Sequence, residues 1–192
     1  MRRSIADGAV EPHTARALRE RLAGIGMTPA SSHELGAVRD LAARLISPDI
    51  AQAEALRSVH RRTGYGFYVA REGGVLSAVM ALVLLNGAGF AAVRAETFDP
   101  LLPDPAHAVL PHEPPQAVYG WGVAAATRAS AGVLVASCWA VLDVIPRPFF
   151  VRAATDAGRR MLTDKMSFVP YPGSRTGLLW WDAVDRQRRR AA

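Results

Sequence analysis

Cysteine is almost missing from this chain. Cys138 is the only one, so no internal disulfide can form and a reducing compartment, the cytoplasm, is the expected setting. Lysine is equally scarce: Lys165 stands alone, and arginine carries the excess that gives a formal net charge of +6. These arginines are spread along the chain except for Arg186, Arg188, Arg189 and Arg190 near its end, and no basic segment is interleaved with aromatics. The charge therefore reads as a solubilising surface and tail, with no nucleic acid as partner. His13, His33, His60, His107 and His112 share no ligand spacing, so no metal is expected. The opening MRRSIADGAVEPH is basic but lacks the apolar segment of a secretory signal. The chain has no G-x-x-x-x-G-K-[ST], no G-x-G-x-x-G and no G-x-S-x-G, which excludes the phosphate loop, the dinucleotide fingerprint and the hydrolase elbow.

What the chain does have is apolar pattern. Of its 192 residues 50% are hydrophobic and 21% charged, the balance of a globular protein long enough to bury a real core. Val75 to Val93 carries no charge over a nearly membrane-spanning length. Asn86-Gly87 and Gly89 interrupt it, however, and Arg71-Glu72-Gly73-Gly74 before it signals a hairpin turn. A buried strand is expected there, with no membrane role.

In chain order, His13 to Ile25 predicts a short amphipathic helix closed by Gly24 and Gly26, which Thr28-Pro29 ends. Ser31 and Glu34 form a capping-box signature before Leu35, Val38, Leu41, Leu45 and Ile46 at helical spacing. Ser47 as N-cap and Pro48 at the first helical position predict a further helix, with Ile50, Ala53, Leu56 and Val59 as its buried face. Gly66 to Ala70 and Val75 to Leu85 predict an antiparallel hairpin. Asn86 to Phe90 turns the chain and can open a short helix through Arg94. The segment from Thr97 to Gln116 holds six prolines, which rules out a sheet interior or a long helix. It is either a cleft-lining loop or a connector. Ala117 to Ala126 is the expected central strand, followed by a small-residue elbow and a helix from about Ser130 to Val141. A strand over Phe149 to Ala153 and a helix over Ala157 to Met166 follow. Short strands from Phe168 and over Leu178 to Trp181 end the pattern. Strand, helix, strand, helix implies parallel strands joined by a right-handed crossover.

The fold class is therefore α+β (α/β in part): a mixed, mostly antiparallel central sheet flanked by helices, with a helical N-terminal extension. Residues 1–64 are expected as the helical part packed on the sheet, 65–182 as the sheet domain and 183–192 as a basic tail, the whole forming one compact domain. The apolar hairpin and Trp180-Trp181 offer a face for a homodimer.

Laid out this way, Gly66 to Trp181 resembles the GNAT superfamily of acyl-CoA-dependent N-acyltransferases. In that family two helices lead into a hairpin, and a central strand splays from its parallel neighbour. The helix after the central strand begins there with a Q/R-x-x-G-x-G/A turn whose amides take the coenzyme pyrophosphate. Here Arg128-Ala129-Ser130-Ala131-Gly132-Val133 sits in that place, with Val123 and Ala125 before it at the family's V-x-P-x-x-R spacing. Thr163-Asp164-Lys165-Met166-Ser167-Phe168 is similar to the family's Y-x-x-x-G-F ending. The resemblance implies acetyl-CoA or another acyl-CoA as a substrate, with Val123, Ala124 and Ala125 along the pantetheine arm. It implies Arg128 to Val133 on the pyrophosphate, and a small-molecule or peptide amine as acceptor.

Unpaired amides at a helix start make an anion site without an acid or base, and glycine is wanted there because a Cβ holds the phosphate away. This chain has Ala131 where the family has glycine and Val133 where it has glycine or alanine. Arg128 keeps the basic position and can pair with a phosphate oxygen. The plain alternative is a helix start whose small residues pack on the sheet. Proton chemistry offers less. Thr163 replaces the family's tyrosine acid, and the central strand has no carboxylate to act as base. The candidates by position are Tyr119, then His107, His112 and Glu113 on the proline-rich loop. Each also has an ordinary reading, as a core ring or as solvated loop residues. Cys138 lies in an apolar helix and reads as core rather than nucleophile. Two functions stand side by side: an N-acyltransferase, and a catalytically inactive GNAT-like module for ligand sensing or protein interaction.

Overall fold

The computed structural model describes residues 13–182; the opening residues and the expected basic tail lie outside that range. Its centre is a seven-stranded sheet in the order β1-β2-β3-β4-β5-β7-β6. The strands are β1 (Thr28–Pro29), β2 (Phe67–Glu72), β3 (Val75–Leu85), β4 (Ala117–Ala125), β5 (Phe149–Arg152), β6 (Val169–Pro170) and β7 (Leu178–Trp181). Every neighbouring pair is antiparallel except β4 with β5, which are parallel and joined through a helix. A mixed, mostly antiparallel sheet flanked by helices is thus the fold class.

β3 explains the charge-free run. Met80, Leu82 and Leu84 point to one face and Val79, Ala81, Val83 and Leu85 to the other, and all are buried. A strand covered on both faces has no use for polar alternation. On the first face lie α1 (His13–Ala23), through Leu18 and Leu22, and α5 (Arg128–Val144), through Leu134, Val141 and Leu142. On the second lie α2 (Leu35–Leu45) and α3 (Ala53–Thr63), through Leu35, Val38, Leu56 and Val59. Each fully buried leucine here contributes on the order of 1.5–3 kcal/mol. The hairpin between β2 and β3 turns on Gly73 (φ 56°) and Gly74 (φ 83°), the left-handed pair that a two-residue turn demands.

Four expectations need correction. Thr28-Pro29 does more than end a helix: it pairs with Val69 and Tyr68 as an edge strand, where proline's missing N–H is harmless. Ser47 caps no helix. Its hydroxyl accepts from the Asp49 N–H at 3.1 Å in a local turn, and α3 starts six residues later at Ala53, after Gln52. Leu45, assigned to the buried stripe of α2, is 40% exposed. The helix expected over Ala157 to Met166 is a short α6 (Asp156–Arg160) that widens into a π turn over Met161–Lys165. Trp181 is 5% exposed and Trp180 packs against Phe150 and Tyr171, so both serve the sheet's own packing.

α4 (Gly87–Arg94), capped by Asn86, is followed by Glu96, whose φ of 55° turns its carboxylate across to the β6–β7 loop. It accepts from Ser174 Oγ, from the Arg175 N–H at 3.0 Å and from Thr176 Oγ1 at 3.0 Å. These donors, the Ser174 hydroxyl foremost, hold its carboxyl down at about 2, against an ordinary 4.5. A depressed carboxylate stabilises the fold fully above pH 4.5 and loses that contribution as pH falls toward 2. In urea melts, Glu96→Gln is expected to be less stable than the parent at pH 7, with the gap narrowing toward pH 3. A gap independent of pH would contradict this clasp.

Candidate functional site

β4 and β5 run together for only three residue pairs, Val118 with Phe149, Tyr119 with Phe150 and Gly120 with Val151. The reason lies on the other edge of β4. Its register against β3 jumps at Trp121: Leu82 faces Gly120, and Ala81 faces Gly122. An extra residue in one strand bends that strand and increases its twist, and here it turns β4 away from β5. Beyond the bulge, the Ala126 N–H donates to the Ser77 carbonyl at 2.8 Å. Alternation along an antiparallel strand then points the N–H and C=O of Val123 and Ala125 the opposite way, into the gap beyond the end of β5.

The gap joins two hollows. One, of about 360 Å³, lies on the α5–α6 side and is lined by Val123, Ala125, Ala131, Leu134, Gly158 and Leu162. The other, of about 200 Å³, lies under α2 and includes Arg39, Asp49, Leu56, Leu101 and Tyr119. Both are bordered by Ile46, Trp121, Gly122, Arg152, Ala153 and Ala154, so they meet through the place where the strands part. The indole of Trp121 donates to the Pro100 carbonyl at 2.6 Å and pins the proline-rich loop over the smaller hollow. That loop lines the cleft through Pro100 and Leu101. His107, His112 and Glu113 do not reach either hollow. The His107 ring lies 6.1 Å from Phe98, and the Glu113 carboxylate accepts from the Leu110 N–H at 2.8 Å.

The start of α5 differs from the expected elbow. The helix begins at Arg128, two residues earlier than expected, and the Ala131 N–H already donates to the Thr127 carbonyl at 3.0 Å. Thr127 is the N-cap: its hydroxyl oxygen accepts from the Ser130 N–H at 3.0 Å, and Ser130 Oγ accepts from the Thr127 N–H at 3.1 Å. Helix geometry therefore leaves the Arg128 and Ala129 N–H groups as the unclaimed donors of the first turn. Ala131, Gly132 and Val133 sit inside the helix. Ala131 lines the larger hollow, Gly132 is exposed, and Val133 is half-buried against the core on this face of the sheet and borders neither hollow. The Thr127 hydroxyl donates to the Glu72 carboxylate at 2.7 Å. A negative charge already faces this positive helix end.

Tyr119 is 3% exposed, and its ring lies 4.9 Å from Phe98. Burial pushes its hydroxyl above the ordinary range, and the Arg152 charge pulls it part of the way back. A phenol held protonated in this way can donate a proton but is no base. Thr163 makes no such provision: it is turned toward the Arg159 carbonyl and the Asp164 carboxylate, away from both hollows. Sequence reasoning missed Arg39, Asp49 and Arg152. Only Arg152 left a signal, as the charged last residue of a parallel strand, where open sheets of this kind bind ligands. Among the described residues, no three His, Cys, Asp or Glu side chains come together in a way that could hold a metal ion. No described helix is long and apolar enough to cross a membrane.

No family model matches the sequence, and no curated protein does. The chain is similar to a solved structure described as histone acetyltransferase HPA2 and related acetyltransferase from Corynebacterium glutamicum ATCC 13032. The two are 17% identical with a TM-score of 0.45, over 81% of this chain and 94% of that one.

Cys138 lies on the buried side of α5, and burial pushes its thiol up to about 12. Iodoacetamide at pH 8 is expected to leave the native protein unlabelled for hours and to label one thiol promptly in denaturant. Fast labelling of the native protein would contradict a core role.

Proposed function

We propose that this protein is an acyl-CoA-dependent N-acyltransferase of GNAT type. The observation that carries the reading is the parting of β4 from β5, which joins two hollows and turns the backbone of Val123 and Ala125 into the gap. In this reading the pantetheine arm lies along Val123, Ala124 and Ala125 as an added strand, held by the main-chain groups β5 leaves unpaired. The pyrophosphate lies over the first turn of α5. The N–H groups of Arg128 and Ala129 and the Arg128 guanidinium attract it there. Ser130 completes the capping box of Thr127, and Ala131, Gly132 and Val133 act as the small or packed body of the helix. The thioester reaches the junction at Trp121 and Gly122.

The acceptor amine enters from the smaller hollow in its neutral form, after water has taken its proton. Its nitrogen attacks the thioester carbonyl, a C–N bond forms, and the C–S bond breaks. Tyr119 gives its proton to the departing thiolate, water takes the surplus proton of the amine, and water returns a proton to Tyr119. Holding the two reactants in line removes several kcal/mol of entropic barrier, so positioning does most of the catalysis. The proposed setting is the cytoplasm. A second reading has one observation in its favour. Thr163 stands where an acid is wanted and turns away from the cleft, so a module that binds acyl-CoA without turning it over shares this geometry.

Two measurements follow. A Cβ on Gly122 meets nothing within 4 Å, so Gly122→Leu puts its side chain into the junction at little cost to the fold. Acetyl-CoA at about 100 times its Kd is expected to stabilise the parent by roughly 2.7 kcal/mol. It should stabilise Gly122→Leu much less. No stabilisation of the parent would contradict the proposal. Glu72→Gln removes the charge beside the first turn of α5 and is expected to tighten acetyl-CoA severalfold in calorimetric titration. Unchanged affinity would place the pyrophosphate elsewhere.

A further inference from the structure

The smaller hollow is built for more than an amine. Two arginines border it, Arg39 from α2 and Arg152 from the end of β5. The Nε–H of each is buried and donates to nothing. Arg39 is 23% exposed; its remaining contacts are long, 3.5 Å to the Pro48 carbonyl and 3.5 Å to Asp40, whose own carboxylate is 65% exposed. Arg152 lies close enough to Tyr119 to act on its hydroxyl. Asp49, on the turn before α3, is the acidic side chain bordering the same hollow. The rest of the lining is apolar, with Val38, Ile46, Leu56 and Val79 prominent.

Guanidinium donors withdrawn from water without a partner are costly, and an apolar wall makes them more so. A carboxylate offers the matching fork: two oxygens for two parallel N–H groups. We propose that the ligand of this hollow is an amine that carries a carboxylate on a compact apolar body, that is, a free apolar amino acid. Its carboxylate pairs with Arg152 and Arg39. Its side chain lies against Val38, Ile46 and Leu56, and its amine is left toward Gly122. Asp49 favours the ammonium form on arrival and disfavours an acceptor with a second negative charge. This inference rests on the acyltransferase reading for the fate of the amine, but not for the binding of the acid.

The test uses the full chain and needs no acyl donor at first. Calorimetric titration with L-leucine and L-phenylalanine is compared with isoamylamine and phenethylamine, which keep the apolar body and the amine but lack the carboxylate. The amino acids are expected to bind at least tenfold more tightly than their decarboxylated counterparts. Arg152→Met and Arg39→Leu are each expected to weaken the amino acids roughly 10- to 100-fold and leave the amines unchanged. Should either variant fail to fold by circular dichroism, the comparison within the parent protein decides alone. Equal binding of acids and amines, or no binding of either acid, overturns the proposal. Acetyl-CoA is then added. Leucine binding without any acetyl-CoA binding removes the acyltransferase reading and keeps the carboxylate site. Acetylation of isoamylamine in preference to leucine keeps the acyltransferase reading and overturns the carboxylate site.

Discussion

One extra residue in β4 sets the shape of everything around it. Trp121 has no partner on β3, so the strand bends there, and the pairing with β5 that holds from Val118 to Gly120 stops. Bulges of this kind re-aim side chains and end pairing beside sites, and both effects appear here. The bend frees the main chain of Val123 and Ala125, and the Trp121 indole swings over to hold Pro100 and with it the proline-rich loop. Two glycines flank the bulge. At Gly120 a Cβ would lie 3.0 Å from the Phe149 ring, so the close approach to β5 favours glycine just before the strands part. Gly122 meets nothing, and a side chain there would project into the space that joins the two hollows.

Electrostatics divides the cleft into two ends with different tasks. At the α5 end a helix terminus is capped by Thr127 and Ser130 and faced by Glu72, which limits how much further negative charge it attracts. At the α2 end Arg39 and Arg152 bring positive charge into an apolar wall. Between them Tyr119 keeps its proton, because burial disfavours the phenolate more than the neighbouring guanidinium favours it. Tyr119 and Arg152 sit on neighbouring strands of the sheet, and Arg39 comes from α2.

Much of this architecture was legible in the sequence because it follows local rules. Gly73-Gly74 fixed the hairpin, and the alternation of β3 stayed hidden because both of its faces are buried. The capping pattern at Ser31 and Glu34 and the spacing of α2 were readable for the same local reason. What failed depended on distant contacts. Ser47-Pro48-Asp49 has the letters of a helix start, yet the chain must first bring Ile50 and Ala51 against the hollow before α3 can begin. Thr28-Pro29 became a strand because β2 offered an edge. The start of α5 moved forward because Thr127 and Ser130 satisfy each other, a pairing that outweighs the small residues after it. Arg39 and Arg152 are far apart in sequence, and only the sheet brings them to one wall.

The central claim is that β4 beyond Trp121 presents an unpaired main-chain edge that an acyl-CoA can complete. Residue-resolved amide hydrogen exchange by NMR tests it directly. In the free protein the Val123 and Ala125 amides are expected to exchange much faster than those of Gly122 and Ala124, which face β3, and to become protected when acetyl-CoA is added. Equal protection along β4 in the free protein, unchanged by acetyl-CoA, would contradict the account.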